Sequence, residues 1–121
     1  MRLWSAATTL YTFALPGRQA ATLYFAGIRE IYLADTPNLE LGERLLRESV
    51  EIDPTAFFAN IELGNVCLRR GSRDDALHAY TAALQYSPND PVLRQSIQDQ
   101  IQRVLTQSPD KIPDLRNPTM E

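Results

Sequence analysis

Two prolines 34 residues apart, Pro54 and Pro88, constrain this chain more than any other feature. Each closes an apolar helical segment with the same cadence, Val50-Glu51-Ile52-Asp53-Pro54 and Leu84-Gln85-Tyr86-Ser87-Pro88. Proline lacks an N–H and disfavours helix in the residue before it, so each marks a helix end. Self-similarity at this period is the signature of one helix–turn–helix unit of a solenoid. Between the prolines, Ala59, Leu63, Val66 and Cys67 recur at helical spacing and predict one apolar stripe on a helix ending near Arg70. Gly71 is the expected stop, because glycine accepts a positive φ without a Cβ penalty. Ser72 is the expected cap of the next helix, with Asp75 suited to its positive end. That helix carries Ala76, Leu77, Tyr80, Ala83 and Leu84 as a second stripe. Gly64, Ala76 and Ala83 are small where two helices would cross closely, and Tyr80 is large where a gap needs filling.

Leu63-Gly64, Gly71, Ala76, Tyr80, Ala83-Leu84 and Pro88, in that order and spacing, resemble the tetratricopeptide repeat over residues 57–90. One departure is Asn60, where the family often has a large aromatic, with Phe57 and Phe58 beside it as compensation. The resemblance implies an all-α, right-handed α-solenoid of helical hairpins that binds other proteins and has no chemistry of its own. Residues 23–56 read as a degenerate copy, since Gly42, Leu46, Ser49 and Pro54 each precede Ala76, Tyr80, Ala83 and Pro88 by 34. Thr36-Pro37 is the expected start of its second helix, with Thr36 as cap and Pro37 at the first helical position. Its first helix fits less well. Counting back by the period places Glu30 where Gly64 sits, whereas the small residue, Gly27, is three positions early.

After Pro88, Asp90 as cap and Pro91 at the first helical position open a third segment. Val92, Leu93, Ile97, Ile101, Val104 and Leu105 form one face, and a glutamine-rich opposite face suits a terminal capping helix. The expected organisation is an apolar segment at 1–17, repeats at about 23–56 and 57–90 with a cap at 91–106 inside a domain of 18–106, and a proline-rich flexible tail at 107–121. Residues 3–15 carry no charge, yet thirteen helical residues reach only about 20 Å against a hydrocarbon core of roughly 30 Å. A signal peptide, the end of a spanning helix begun upstream, and a packing helix on the first repeat are three open readings of that stretch.

Composition bears on function chiefly by exclusion. A formal net charge of −3 argues against nucleic acid, whose phosphates demand a basic surface, and against simple docking on anionic lipid. The single cysteine, Cys67, excludes an internal disulfide and any cysteine-based zinc site, and lies on the buried stripe. The only histidine, His78, falls on the outer face of its helix, and Asp53, Asp74 and Asp75 sit where helix ends explain them. Glu43–Arg47 and Arg44–Glu48 are ordinary charge pairs of a surface helix. No phosphate loop, paired-carboxylate site or nucleophile motif appears, so neither catalysis nor a cofactor or metal is expected.

By the resemblance, a peptide or partner helix binds along a concave groove lined by the first helix of each repeat. Carried onto this sequence, the groove positions are Phe58, Ile61, Asn65, Leu68 and Arg69, with Gln95, Asp99 and Arg103 from the following helix and Tyr24 and Ile31 from the first repeat. Packing beneath the N-terminal segment is the competing account of the apolar members. Asn65 matches one position of the clamp with which some members of the family hold the acidic C-termini of chaperones. Ile61 and Val92 replace the basic residues that clamp needs, so a chaperone adaptor is not expected. Two repeats and a cap are fewer than the three or so that make a stable array. Residues 3–22, self-association or a missing upstream domain would meet that shortfall. Three readings of function stand: a membrane-tethered scaffold, an accessory domain that is the C-terminal fragment of a larger membrane enzyme or assembly protein, and a self-associating soluble module.

Overall fold

The computed structural model describes residues 17–115; the readings given to residues 3–15 and to the end of the tail lie outside the described residues. Among the described residues five α-helices run in sequence: α1 (17–28), α2 (Leu39–Ile52), α3 (Phe57–Arg69), α4 (Arg73–Gln85) and α5 (Pro91–Thr106). A π turn, Arg29–Leu33, prolongs α1, and a single 3-10 turn, Pro109–Lys111, follows α5. No strand occurs among the described residues, and α2 and α4 both end just ahead of their prolines. The chain is an all-α array of two helical hairpins with a fifth helix against α4.

Helix ends follow local chemistry. Gly71 adopts φ +80°, with Gly71 N–H donating to Leu68 O at 2.9 Å and Ser72 N–H to Cys67 O at 2.8 Å. These two bonds satisfy the last carbonyls of α3 and turn the chain sharply into α4. Asp90 caps α5, its carboxylate accepting from Val92 N–H at 3.1 Å and Leu93 N–H at 3.2 Å, ahead of Pro91. Ser72 occupies the cap position of α4 but makes no side-chain cap bond. The cap of α2 is Asn38 rather than Thr36, and it accepts from Leu41 N–H at 3.0 Å. Asn38 N–H reaches back to Glu30 O at 2.9 Å, so Thr36 and Pro37 are spent closing the loop.

Packing decides why α3 lies at the centre. Every residue from Ala59 to Leu68 is buried, including the polar Asn60, Glu62 and Asn65, because α2, α4 and the segment after α5 cover its faces. A helix enclosed in this way loses the amphipathic contrast of a surface helix. At the α3–α4 crossing a Cβ on Gly64 would stand 2.6 Å from the ring of Tyr80, a residue with no exposed surface. The same device recurs in the first hairpin, where Gly27 meets Leu46 and Gly42 meets Ile31.

That recurrence resolves the first repeat. Gly64 and Tyr80 are 16 residues apart, and their counterparts Gly27 and Leu46 are 19 apart. Three extra residues are therefore housed between the helices of the first hairpin, by the π turn and by a loop longer than the one at Gly71. The strict period puts Glu30 opposite Gly64; the packing puts Gly27 there. On α5, Val92 and Leu105, the ends of the expected apolar stripe, are exposed at 66% and 51%.

The tail departs most from expectation. Residues 109–115 are not free: Ile112 and Leu115 are buried in the core cluster, and the segment lies along α3 and α5. Two aliphatic side chains in an otherwise polar stretch supply the anchors, and side-chain amides on the helices supply the partners for its backbone.

Candidate functional site

The site is built on one face of α3. Ile61, Asn65, Leu68 and Arg69 follow one another there at helical spacing, and α5 brings Gln100 and Arg103 alongside. Asn65 is the hub. Its Oδ1 accepts from the Tyr80 hydroxyl and from Leu115 N–H at 2.8 Å, and its Nδ2 donates to Leu115 O at 2.8 Å and to Glu62 Oε1 at 3.4 Å. Both donors and both acceptor positions of the amide are used. Gln100 donates to the Tyr80 oxygen at 3.3 Å, which commits the Tyr80 proton to Asn65, and to Pro113 O at 2.8 Å. Arg103 in turn donates to Gln100 Oε1 at 3.2 Å.

The arrangement holds main chain. Residues 113 and 115 present their backbone to the helices while residue 114 turns to the side, which is the alternation of an extended strand. The intervening Asp114 carboxylate meets Arg69 at 2.7 Å. Arg69 also stands over the Tyr32 ring, 5.0 Å from its centroid, and Tyr32 donates to Glu62 Oε2 at 2.6 Å. A guanidinium steadied by an aromatic face and a carboxylate is preorganised for an acidic group. Arg73 donates to Gln107 O at 2.7 Å, fixing the point at which the segment leaves α5. A cleft of about 220 Å³ remains between the segment and the end of α3, lined by Leu68, Arg69, Ile112 and Asp114 among others.

Titration adds little chemistry. Burial pushes the Tyr80 hydroxyl well above the ordinary phenol range, so it remains a proton donor at neutral pH. Burial, with Glu43 beside it, pushes the Cys67 thiol up to about 12. Cys67 is fully enclosed and accepts only a 3.7 Å contact from Arg47, so it is a core residue rather than a nucleophile. Among the described residues no group of three or more His, Cys, Asp or Glu side chains gathers.

Several expected groove residues take other places. Ile61, Asn65 and Leu68 share one face of α3 and are buried at 1%, 0% and 3% exposure, with the tail bonded to Asn65 on that face. Arg69 is exposed and engaged with the tail. Ile31 faces α2 against Gly42 rather than the groove. The counterpart of Asn65 in the first hairpin is then Ile28, so this hairpin offers no second amide. Gln95 and Asp99 are exposed and bonded to one another at 2.9 Å on α5. Tyr24 and Phe58, the latter 49% exposed, border a separate apolar cleft of about 250 Å³ with Phe25 and Phe57. Burial, with Glu62 nearby, raises the Tyr24 hydroxyl above its ordinary value.

The expected set omits Tyr32, Glu62, Tyr80 as a hydrogen-bond donor, Gln100 and the tail residues 112–115. Gln100 alone carried a signal, a polar residue on the apolar side of α5.

Paired helices that hold the chain's own extended backbone define a helical-repeat architecture. The family model of the tetratricopeptide repeat matches residues 57–90, which is α3, α4 and their flanking turns, so this hairpin is similar to a tetratricopeptide repeat. That family is one of protein–protein interaction modules that serve generally as scaffold rather than catalyst. Comparison with curated proteins and with solved structures gives no match. Among the described residues no helix is long and apolar enough to cross a membrane.

Proposed function

We propose that this protein recruits a partner by holding an extended segment of it along the concave face of α3 and α5. The observation that carries this reading is the two-point bond between the Asn65 amide and the main chain of Leu115. An amide so placed recognises any extended backbone, and Gln100 reads the carbonyl two residues earlier in the same way. A helical partner would present no free N–H and C=O pair to Asn65, since its own helix consumes them. The favoured partner is therefore a peptide in extended form, and the interaction belongs with recognition modes in which main-chain bonds give affinity and side-chain pockets give specificity.

The test is selection of binding peptides from a random library on the full chain, followed by substitution. Binding of the selected peptides is expected to fall at least tenfold in Asn65→Ala and in Arg69→Ala, and to persist in Arg44→Ala, which alters an exposed residue of α2. Binding indifferent to Asn65 and Arg69, in variants that keep their helicity, would place the site elsewhere.

A further inference from the structure

Resting on the groove reading above, we propose that residues 109–115 are a tethered occupant of the partner's site, and that the partner segment shares their chemistry. That chemistry is an extended peptide with one aliphatic residue, an acidic residue two positions later and a second aliphatic directly after it. Ile112, Asp114 and Leu115 are this pattern in the chain itself.

Each part of the segment answers a different part of the site. The bonds from Asn65 to Leu115 and from Gln100 to Pro113 involve main chain alone and carry no sequence information. Pro113 needs only to accept there, so its missing N–H costs nothing. Selectivity comes from Arg69, which finds a carboxylate at 2.7 Å and which a basic residue at the same place would repel. Ile112 and Leu115, buried at 8% and 6% exposure, set the spacing of the aliphatic anchors. Regulation follows from the tether. Only residues 107 and 108 separate α5 from the 3-10 turn, so the segment faces its site at a local concentration on the order of millimolar. A partner must outcompete that concentration, and the native chain binds it more weakly than the vacant groove does.

The experiment uses the full chain carrying Ile112→Asp and Leu115→Asp, which expels the segment, beside the native chain. The probe is a labelled peptide with the sequence of residues 108–118, read by fluorescence anisotropy. The expected result is binding to the variant at least tenfold tighter than to the native chain. A peptide with Asp114→Lys should lose at least tenfold, and regain it on a variant that also carries Arg69→Glu. Equal binding of acidic and basic peptides would overturn the acidic selectivity while leaving the groove reading intact. No binding of any peptide to a variant that remains helical would overturn both. Equal affinity of variant and native chain would overturn the competition. A concentration-dependent dimer of the native chain that the double substitution abolishes would overturn occupancy in cis, by assigning the segment to a second copy. Should the double variant lose helicity, Arg69→Glu in the otherwise native chain replaces it. It should then bind the Asp114→Lys peptide at least tenfold better than the native peptide, and the reverse order would overturn the proposal.

Discussion

Asn65→Asp changes one atom of the hub and reverses one of its roles. The acceptor that serves Tyr80 and Leu115 N–H is kept, but the donor to Leu115 O becomes a second acceptor facing a carbonyl. Losing a buried hydrogen bond and opposing two oxygens costs about 2–4 kcal/mol. Whether that releases the tail depends on the margin holding it. Burying Ile112 and Leu115 stabilises the docked state by roughly 1.5–3 kcal/mol each. Three hydrogen bonds to Asn65 and Gln100 add about 0.5–1.5 each, and the half-exposed Arg69–Asp114 pair adds roughly 0.5. Against this stands the ordering of residues 109–115 at about 1–2 kcal/mol each, less at the two prolines. Central values are roughly 8 kcal/mol of stabilisation against roughly 9 of ordering, so the two cancel to within about 1 kcal/mol and the docked tail has little to lose. A loss of about 2 kcal/mol shifts the docking equilibrium roughly thirtyfold toward release.

Two measurements read that shift: hydrogen exchange at the Leu115 amide, and tryptic cleavage after Lys111. At pH 7 both should accelerate at least tenfold in Asn65→Asp while the far-ultraviolet circular dichroism of the helices is kept. The introduced carboxyl sits where burial and two acceptors favour its protonated form, so its pKa is higher with the tail docked than released. Docking then regains strength as the pH falls through that raised value and loses it as the pH rises. Protection of Leu115 and Lys111 unchanged from the native chain at pH 7 would refute the reasoning, for it would mean that Asn65 does not hold the tail.

Other substitutions probe the frame. Gly64→Ala thrusts a methyl to 2.6 Å from a Tyr80 ring that Asn65 and Gln100 pin, so crowding of about 1–3 kcal/mol should exceed the roughly 1 kcal/mol gained in helix propensity; urea unfolding should show a net loss. Gly71→Ala meets no atom within 4 Å but must hold φ +80°, which costs about 1 kcal/mol and leaves the fold intact by the same assay. Asp90→Ala removes two cap bonds from α5 and should lower stability by about 0.5–2 kcal/mol. Cys67 should resist a thiol reagent until the chain unfolds. Since the folded pKa values of Cys67 and Tyr80 are both raised, the folded state retains protons that the unfolded chain releases, and stability in urea should decline from about pH 9 upward.

The second hairpin was legible because its information is local. Gly71 needs a positive φ, Gly64 needs close approach, and Tyr80 fills the space that Gly64 leaves, all within one period. The first hairpin obeys the same packing but not the same count. A π turn and a longer loop absorb three residues without any residue type that announces them, so a rigid offset of 34 puts Glu30 where the packing puts Gly27. Asn38 displaced Thr36 as cap for a similarly non-local reason, the backbone bond from Asn38 to Glu30. At the candidate site, Asn65 and Arg69 were identifiable as residues, but their occupant was not. Proline-rich sequence without periodicity reads as loose chain, and its docking depends on amides contributed by α3 and α5, far away in sequence.

The tail also bears on the shortage of repeats. A lone pair of hairpins leaves the inner face of α3 uncovered, with Ile61, Asn65 and Leu68 toward water and the Tyr80 hydroxyl short of a rigid partner. Residues 109–115 cover that face, and in doing so complete the hydrogen bonding of Asn65 and extend the core by two aliphatic side chains. A segment with this role cannot bind tightly without closing the site, nor weakly without exposing the core. The near balance between its burial and its ordering is therefore the condition under which one surface would serve both as core and as the proposed binding site. On the proposed reading, a partner of the same chemistry would take the place of the tail contact for contact, leaving α3 covered in either state.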